Sequence, residues 1–104
     1  MTPDDSFLDR ALHAIADPTR RRILQALKAG PAAPKPGKMV GPKSCLCAGE
    51  IEERVQLSQS TISHHMAILT KAGLVEANKQ GQWRWYRRNE KTIRQVVKKL
   101  QRQL

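Results

Sequence analysis

The stretch from Gly49 to Val75, GEIEERVQLSQSTISHHMAILTKAGLV, leaves the chain few choices. Ile51, Val55 and Leu57 form an apolar helical pattern. Glu50, Glu52 and Glu53 fall in its first turn, where the positive end of a helix dipole favours acids. Ser58 is suited to cap a second helix, and Leu57 and Ile62 have the N′ to N4 spacing of a hydrophobic staple. Gly73 stops that helix after Ala72. Two helices joined by a turn of about three residues make a helix-turn-helix, expected over 48–72.

The second of these helices has two unlike sides. Advancing about 100° per residue puts Ile62, Met66 and Leu69 on one side and Ser60, His64, Ala67 and Lys71 on the other. Small polar side chains near a helix N-terminus suit a major groove, because they fit between base edges and hydrogen-bond to bases or phosphates. The contact candidates are Ser58, Gln59, Ser60, Thr61, Ser63, His64 and Lys71. An ordinary amphipathic surface helix would carry the same polar face. His65 falls at the edge of the core, as a packed or phosphate-bonding histidine rather than a metal ligand.

Elsewhere the chain supplies helices to brace this unit. Phe7, Leu8, Ala11, Leu12 and Ile15 make an amphipathic first helix that Ser6 is placed to cap. Asp17-Pro18 opens a second, whose face of Ile23, Leu24 and Leu27 runs to Gly30-Pro31. Residues 30–44 hold four prolines, three glycines and three lysines without apolar periodicity, and read as a flexible loop. Residues 74–88 suit a hairpin, Leu74 to Asn78 and Gln82 to Arg88, turning around Gln80-Gly81. Its QWRWYRR run interleaves aromatics with Arg84, Arg87 and Arg88. Strand alternation puts Trp83 and Trp85 on one face and Arg84 and Tyr86 on the other, so one face packs and the other approaches phosphate or minor groove. In the closing segment, 89–104, Asn89 caps a helix with Ile93, Val96, Val97, Leu100 and Leu104 in one stripe.

Charge points to the partner. The formal net charge is +10, which implies a polyanion. Residues 1–57 carry 9 Lys+Arg against 7 Asp+Glu, whereas residues 58–104 carry 10 against 2, so the anion-binding surface belongs to the C-terminal half. No apolar run approaches the ~20 residues of a membrane span, and the N-terminus lacks a signal-peptide pattern. A cytoplasmic protein with reduced thiols is expected. At 104 residues the chain reads as a single domain with little room for a buried active site, and no titratable pair has a catalytic arrangement, so an enzyme is not expected.

With DPTRRRIL, AGEIEERVQLSQSTISHHMAILTKAGLV and GQWRWYRR in order, the sequence resembles the ArsR family of winged helix-turn-helix transcriptional repressors throughout, outside 30–44. The resemblance implies a mainly α fold of about five helices with a β-hairpin wing. It also implies a homodimer, built from the first and last helices, that places its recognition helices in successive major grooves of a palindromic operator on double-stranded DNA. Gln56 stands where the family often has glycine, so a non-glycine is expected at φ > 0 at a cost of roughly 1 kcal/mol. Glu52 stands where a small residue is usual.

Arsenic-sensing members place Cys-x-Cys directly before an acidic and an aliphatic residue. Here Ala48-Gly49 separates Cys45 and Cys47 from Glu50-Ile51. Side chains at i and i+2 of a helix diverge by about 200°, but ahead of the helix the two sulfurs can converge. A helix N-terminus would lower their pKa toward the thiolate that binds As(III), Sb(III) or another thiophilic metal ion as inducer. There is no third cysteine. The zinc-sensing variant uses Asp and His on the last helix, which residues 89–104 lack. Two alternatives remain: an ArsR-like repressor without a metal site, governed by another ligand or partner protein, and a winged-helix module for protein or RNA contacts.

Overall fold

Proline opens both N-terminal helices of the computed structural model, which describes residues 3–29, 46–81 and 83–104. Helix α1 runs Pro3–Ile15 and α2 Pro18–Ala29. A proline at the first helical position costs no hydrogen bond, since that N–H has no partner inside a helix. Helix α1 therefore begins before Ser6, and Ser6 lies within it rather than at its cap. Asp17 caps α2 as expected, accepting from the Thr19 N–H at 2.7 Å. The loop 30–44, Cys45 and Gln82 lie outside the described residues.

A short strand β1, Leu46–Cys47, leads into α3, Ala48–Val55, and α4, Gln59–Lys71. Strands β2, Val75–Gln80, and β3, Trp83–Arg88, form the hairpin, and α5 is Glu90–Gln103. The sheet has three strands in the order β1-β3-β2, all antiparallel, where the sequence suggested two. Leu46 pairs with Tyr86 and Cys47 with Trp85, so the backbone of β3 has a partner on both edges. This ties the start of α3 to the hairpin.

The turn of the helix-turn-helix carries the expected strain. Gln56 closes α3 at φ 56° and ψ 50°, a left-handed conformation that crowds any Cβ. At the far end of α4, the Leu74 N–H reaches Leu69 O at 3.1 Å and the Gly73 N–H reaches Thr70 O at 3.0 Å. That is the Schellman pairing, with Gly73 at φ 78° supplying the reversal. The chain then enters β2, and the Asn89 N–H closes the hairpin base on Leu74 O at 2.9 Å.

The core is the place where these elements meet: Ala11 of α1, Ile23 of α2, Ile51 of α3, Ile62 and Leu69 of α4, and Leu74. Each loses nearly all contact with water, and burial of this kind contributes about 1.5–3 kcal/mol per large aliphatic side chain. Tyr86 belongs to this core, which corrects the expectation that it shares an outward face with Arg84. Trp85 on the opposite face is also buried, at 2% exposure. Mid-strand β3 is covered on both faces, so only its ends alternate freely with solvent.

Candidate nucleic-acid interface

The polar side of α4 is laid out as its sequence period requires. Ile62, His65, Met66 and Leu69 are buried, while Ser58, Gln59, Ser60, Ser63, His64 and Lys71 are exposed and Thr61 is half-buried. Two of the candidates serve the helix first. Ser58 Oγ accepts from the Thr61 N–H at 3.4 Å and lies 2.9 Å from Thr61 Oγ1 and 3.2 Å from Ser60 Oγ. This cap holds the first turn of α4 in place. The side chains of Gln59 and Ser63 make no hydrogen bond to other described residues, and with His64 they form the open part of the face.

Beside it stands the hairpin. Arg84 and Arg87 are both exposed, but their surroundings differ. Arg87 faces Glu76 across the ladder, with Nε 2.7 Å from Glu76 Oε2. Arg84 faces Lys79, also exposed. Like charges directly opposite on two strands repel one another and destabilise the pair unless an anion lies between them. Lys79 was not singled out in the sequence, because the register that pairs it with Arg84 depends on the turn. Trp83 is exposed at the tip and stacks on Trp85, with ring centroids 6.4 Å apart and planes 24° apart.

Behind the face lies a buried polar cluster. Arg20 of α2 sends Nε to Ala14 O at 2.6 Å and Nη2 to His13 O at 3.2 Å, both at the end of α1. Its Nη1 lies 3.2 Å from His65 Nδ1 on α4 and 3.7 Å from Asp17 Oδ2. Burial pulls the His65 pKa below its ordinary 6.5; the Arg20 and His64 charges act the same way against Asp17. For Asp17, burial acts to raise the pKa, but the Thr19 and Arg20 N–H donors and the charges of Arg20 and His65 together hold it below 3.8. His65 is thus the packed histidine anticipated, though its partner was not visible in the sequence.

Cys47 caps α3 as a half-buried free thiol. Glu50 Oε1 accepts from the Cys47 N–H at 3.3 Å. Burial pushes the thiol pKa up from 9.0, and the nearby Glu50 carboxylate pushes the same way against the Glu50 and Gly49 N–H groups. This reverses the expectation of a lowered pKa: the helix terminus is present, but desolvation and a carboxylate outweigh it. Among the described residues no three His, Cys, Asp or Glu side chains cluster to hold a metal ion. Nor is any described helix long and apolar enough to cross a membrane.

A capped helix with an open polar face, braced from behind and flanked by a cationic hairpin, defines a DNA-binding protein of the winged helix-turn-helix class. Residues 15–77 match the family model of a helix-turn-helix domain. The chain is 31% identical over 90 residues to the transcriptional repressor SdpR of Bacillus subtilis, spanning 86% of this chain and 84% of that protein. It is 31% identical over 93 residues to an arsenical resistance operon repressor of Staphylococcus aureus, spanning 89% and 76%. A solved ArsR family transcriptional regulator has the same fold, with a TM-score of 0.75 at 22% identity over 99% of this chain and 92% of that one. The chain belongs to the ArsR family of winged helix-turn-helix transcriptional regulators, which are not enzymes.

Proposed function

We propose that two copies of the chain act in the cytoplasm as a repressor bound to a palindromic operator. Each lays the N-terminal half of α4 in a major groove, with Gln59, Ser60, Ser63 and His64 toward base edges and Ser58, Thr61 and Lys71 toward the backbone. The wing places Arg84 and Arg87 on phosphates. The observation that carries this reading is the Lys79–Arg84 pair, two exposed cations opposed across a hairpin whose strand β2 packs on α4. A phosphate between them turns a repulsion into two attractions. Self-association is supported by the stripe of α5. Val96 is buried, but Val97 and Leu104 are exposed, as is Leu12 of α1; covering these side chains favours a second copy.

The test is fluorescence anisotropy with labelled duplex from upstream of the protein's own gene. Arg84→Ala is expected to weaken binding to all duplexes and to reduce the salt slope by about one unit. His64→Ala is expected to lose about 1–3 kcal/mol on the operator alone. An Arg84→Ala protein with unchanged affinity and slope removes the wing from the interface. Binding without any sequence preference favours a protein- or RNA-contact module instead.

A second reading concerns the signal. The Staphylococcus aureus relative is an arsenical resistance repressor, and here Cys47 caps the first helix of the DNA-reading unit. On this reading Cys45 and Cys47 supply thiolates to As(III), Sb(III) or another thiophilic ion, which releases the operator. Arsenite should then abolish operator binding by the wild type but not by Cys45→Ser/Cys47→Ser. Equal indifference in both leaves a repressor governed by another ligand or partner protein.

A further inference from the structure

We propose that Arg20 is the positioning residue of the recognition helix, holding α4 through His65 only while that imidazole is neutral. The inference deepens the operator reading above and rests on it. Its ground is the donor inventory of the buried cluster. A guanidinium has five N–H donors and no acceptor. His65 Nδ1, 3.2 Å from Arg20 Nη1, must therefore be the bare, accepting nitrogen, and the proton of the neutral ring sits on Nε2. Arg20 also binds Ala14 O at 2.6 Å and His13 O at 3.2 Å. One side chain thus joins the end of α1, the start of α2 and the middle of α4.

Protonation of His65 removes the acceptor and sets two cationic donors against each other. The groups that face the ring are Asp17 at the α1–α2 corner, Arg20 of α2 and His64 beside it on α4. Asp17 favours the charged ring, while burial, Arg20 and His64 oppose it. Asp17 is itself held in its ionised form, so it does not switch in the same range. His65 and His64 are adjacent, one facing inward and one outward. A rotation or slip of α4 at His65 therefore moves the groove-facing side chains as well, because the helix turns as a unit.

The sign follows from linkage. With the folded-state pKa of His65 lowered from 6.5, the unfolded chain binds more protons in the range just below that value. The bond contributes fully above 6.5 and is lost as pH falls through the folded pKa. General charging predicts the reverse for DNA, since acid adds positive charge and strengthens attachment to phosphate.

Operator affinity is measured by anisotropy at constant ionic strength from about pH 7.5 down to the lowest pH at which circular dichroism shows the protein still folded, for the wild type, His65→Asn and Arg20→Lys. Asparagine keeps an acceptor near the Nδ1 position but cannot be protonated in this range. The wild type should lose about tenfold in affinity on acidification, a size typical of coupled sites. His65→Asn should lose that pH dependence. Arg20→Lys should bind more weakly at the upper pH while keeping a cooperative melt. Wild-type affinity that rises as pH falls overturns the proposal, as does a His65→Asn protein that follows the wild-type profile. A long-range proton–nitrogen spectrum of the free protein supplies a second reading: a protonated Nδ1 in the neutral ring overturns the pairing. Absence of specific duplex binding at every pH is a different result, the failure of the operator reading itself.

Discussion

Replacing Gln56 by glycine should stabilise the protein, and the size of the effect can be worked from the backbone. Gln56 sits at φ 56°, where an L-residue costs about 1–2 kcal/mol relative to right-handed backbone. Its side chain is exposed and makes no hydrogen bond to a described residue, so little is lost with it. Glycine adds about 0.5–1 kcal/mol of conformational entropy to the unfolded chain, which offsets part of the relief. The net gain centres on about 0.7 kcal/mol, or about 3–6 °C in melting temperature for a chain of this size. Thermal unfolding by circular dichroism at one pH and salt concentration reads it directly. Gln56→Val is the control, expected to melt lower than the wild type, because a β-branched residue tolerates this conformation least. A glycine variant that melts at or below the wild type would refute the claim that strain is stored in this turn.

Three further outcomes follow from particular contacts. Trp85→Ala should cost about 3–5 kcal/mol, because Trp85 is buried in the sheet, whereas Trp83→Ala, at the exposed tip, should lose only the stacking on Trp85, about 0.5–1.5 kcal/mol; equal losses in chemical denaturation would contradict the burial of Trp85. Ser58→Ala should lose about 1 kcal/mol of stability with the α4 cap, and a melt unchanged from the wild type would show that the Thr61 N–H finds another partner. In a Cys45→Ser background, Cys47 should react with iodoacetamide at about pH 7.5 more slowly than a small free thiol, since burial and Glu50 disfavour the thiolate; a faster reaction would restore the activated thiol.

The charge of the chain is divided between two jobs that composition does not separate. Arg22 Nη2 reaches Val55 O at the end of α3 at 3.3 Å, and Arg54 Nη1 reaches Ala26 O near the end of α2 at 3.1 Å. Arg21 Nη1 binds Ile15 O at 2.6 Å, and Arg88 Nη1 binds Leu24 O at 3.3 Å. The first three serve carbonyls of helix last turns, which have no partner within the helix, and Arg88 ties the end of β3 to the middle of α2. The arginines of DPTRRRIL are thus braces of the α1–α2–α3 scaffold, and a net charge of +10 overstates the cations turned toward phosphate. Those on the proposed interface come chiefly from α4 and the hairpin tip.

What the sequence determined by itself is whatever is local in the chain. The period of Ile62, Met66 and Leu69, the caps at Asp17, Ser58 and Asn89 and the stop at Gly73 each depend on neighbours within about four residues, whereas the strained turn at Gln56 was read from the resemblance to the family. Both helices of the DNA-reading unit and the side α4 would expose were therefore legible, as was the family. Tertiary structure alone decided what depends on distant segments. It paired Leu46–Cys47 with the edge of β3 and buried both Tyr86 and Trp85, on opposite faces, where alternation exposed one. It opposed Lys79 to Arg84, turned the Cys47 pKa upward by burying it beside Glu50, and set Arg20 against a histidine 45 residues away. Register, desolvation and donor–acceptor pairing between separate elements are properties of packing, and no local pattern of residues encodes them.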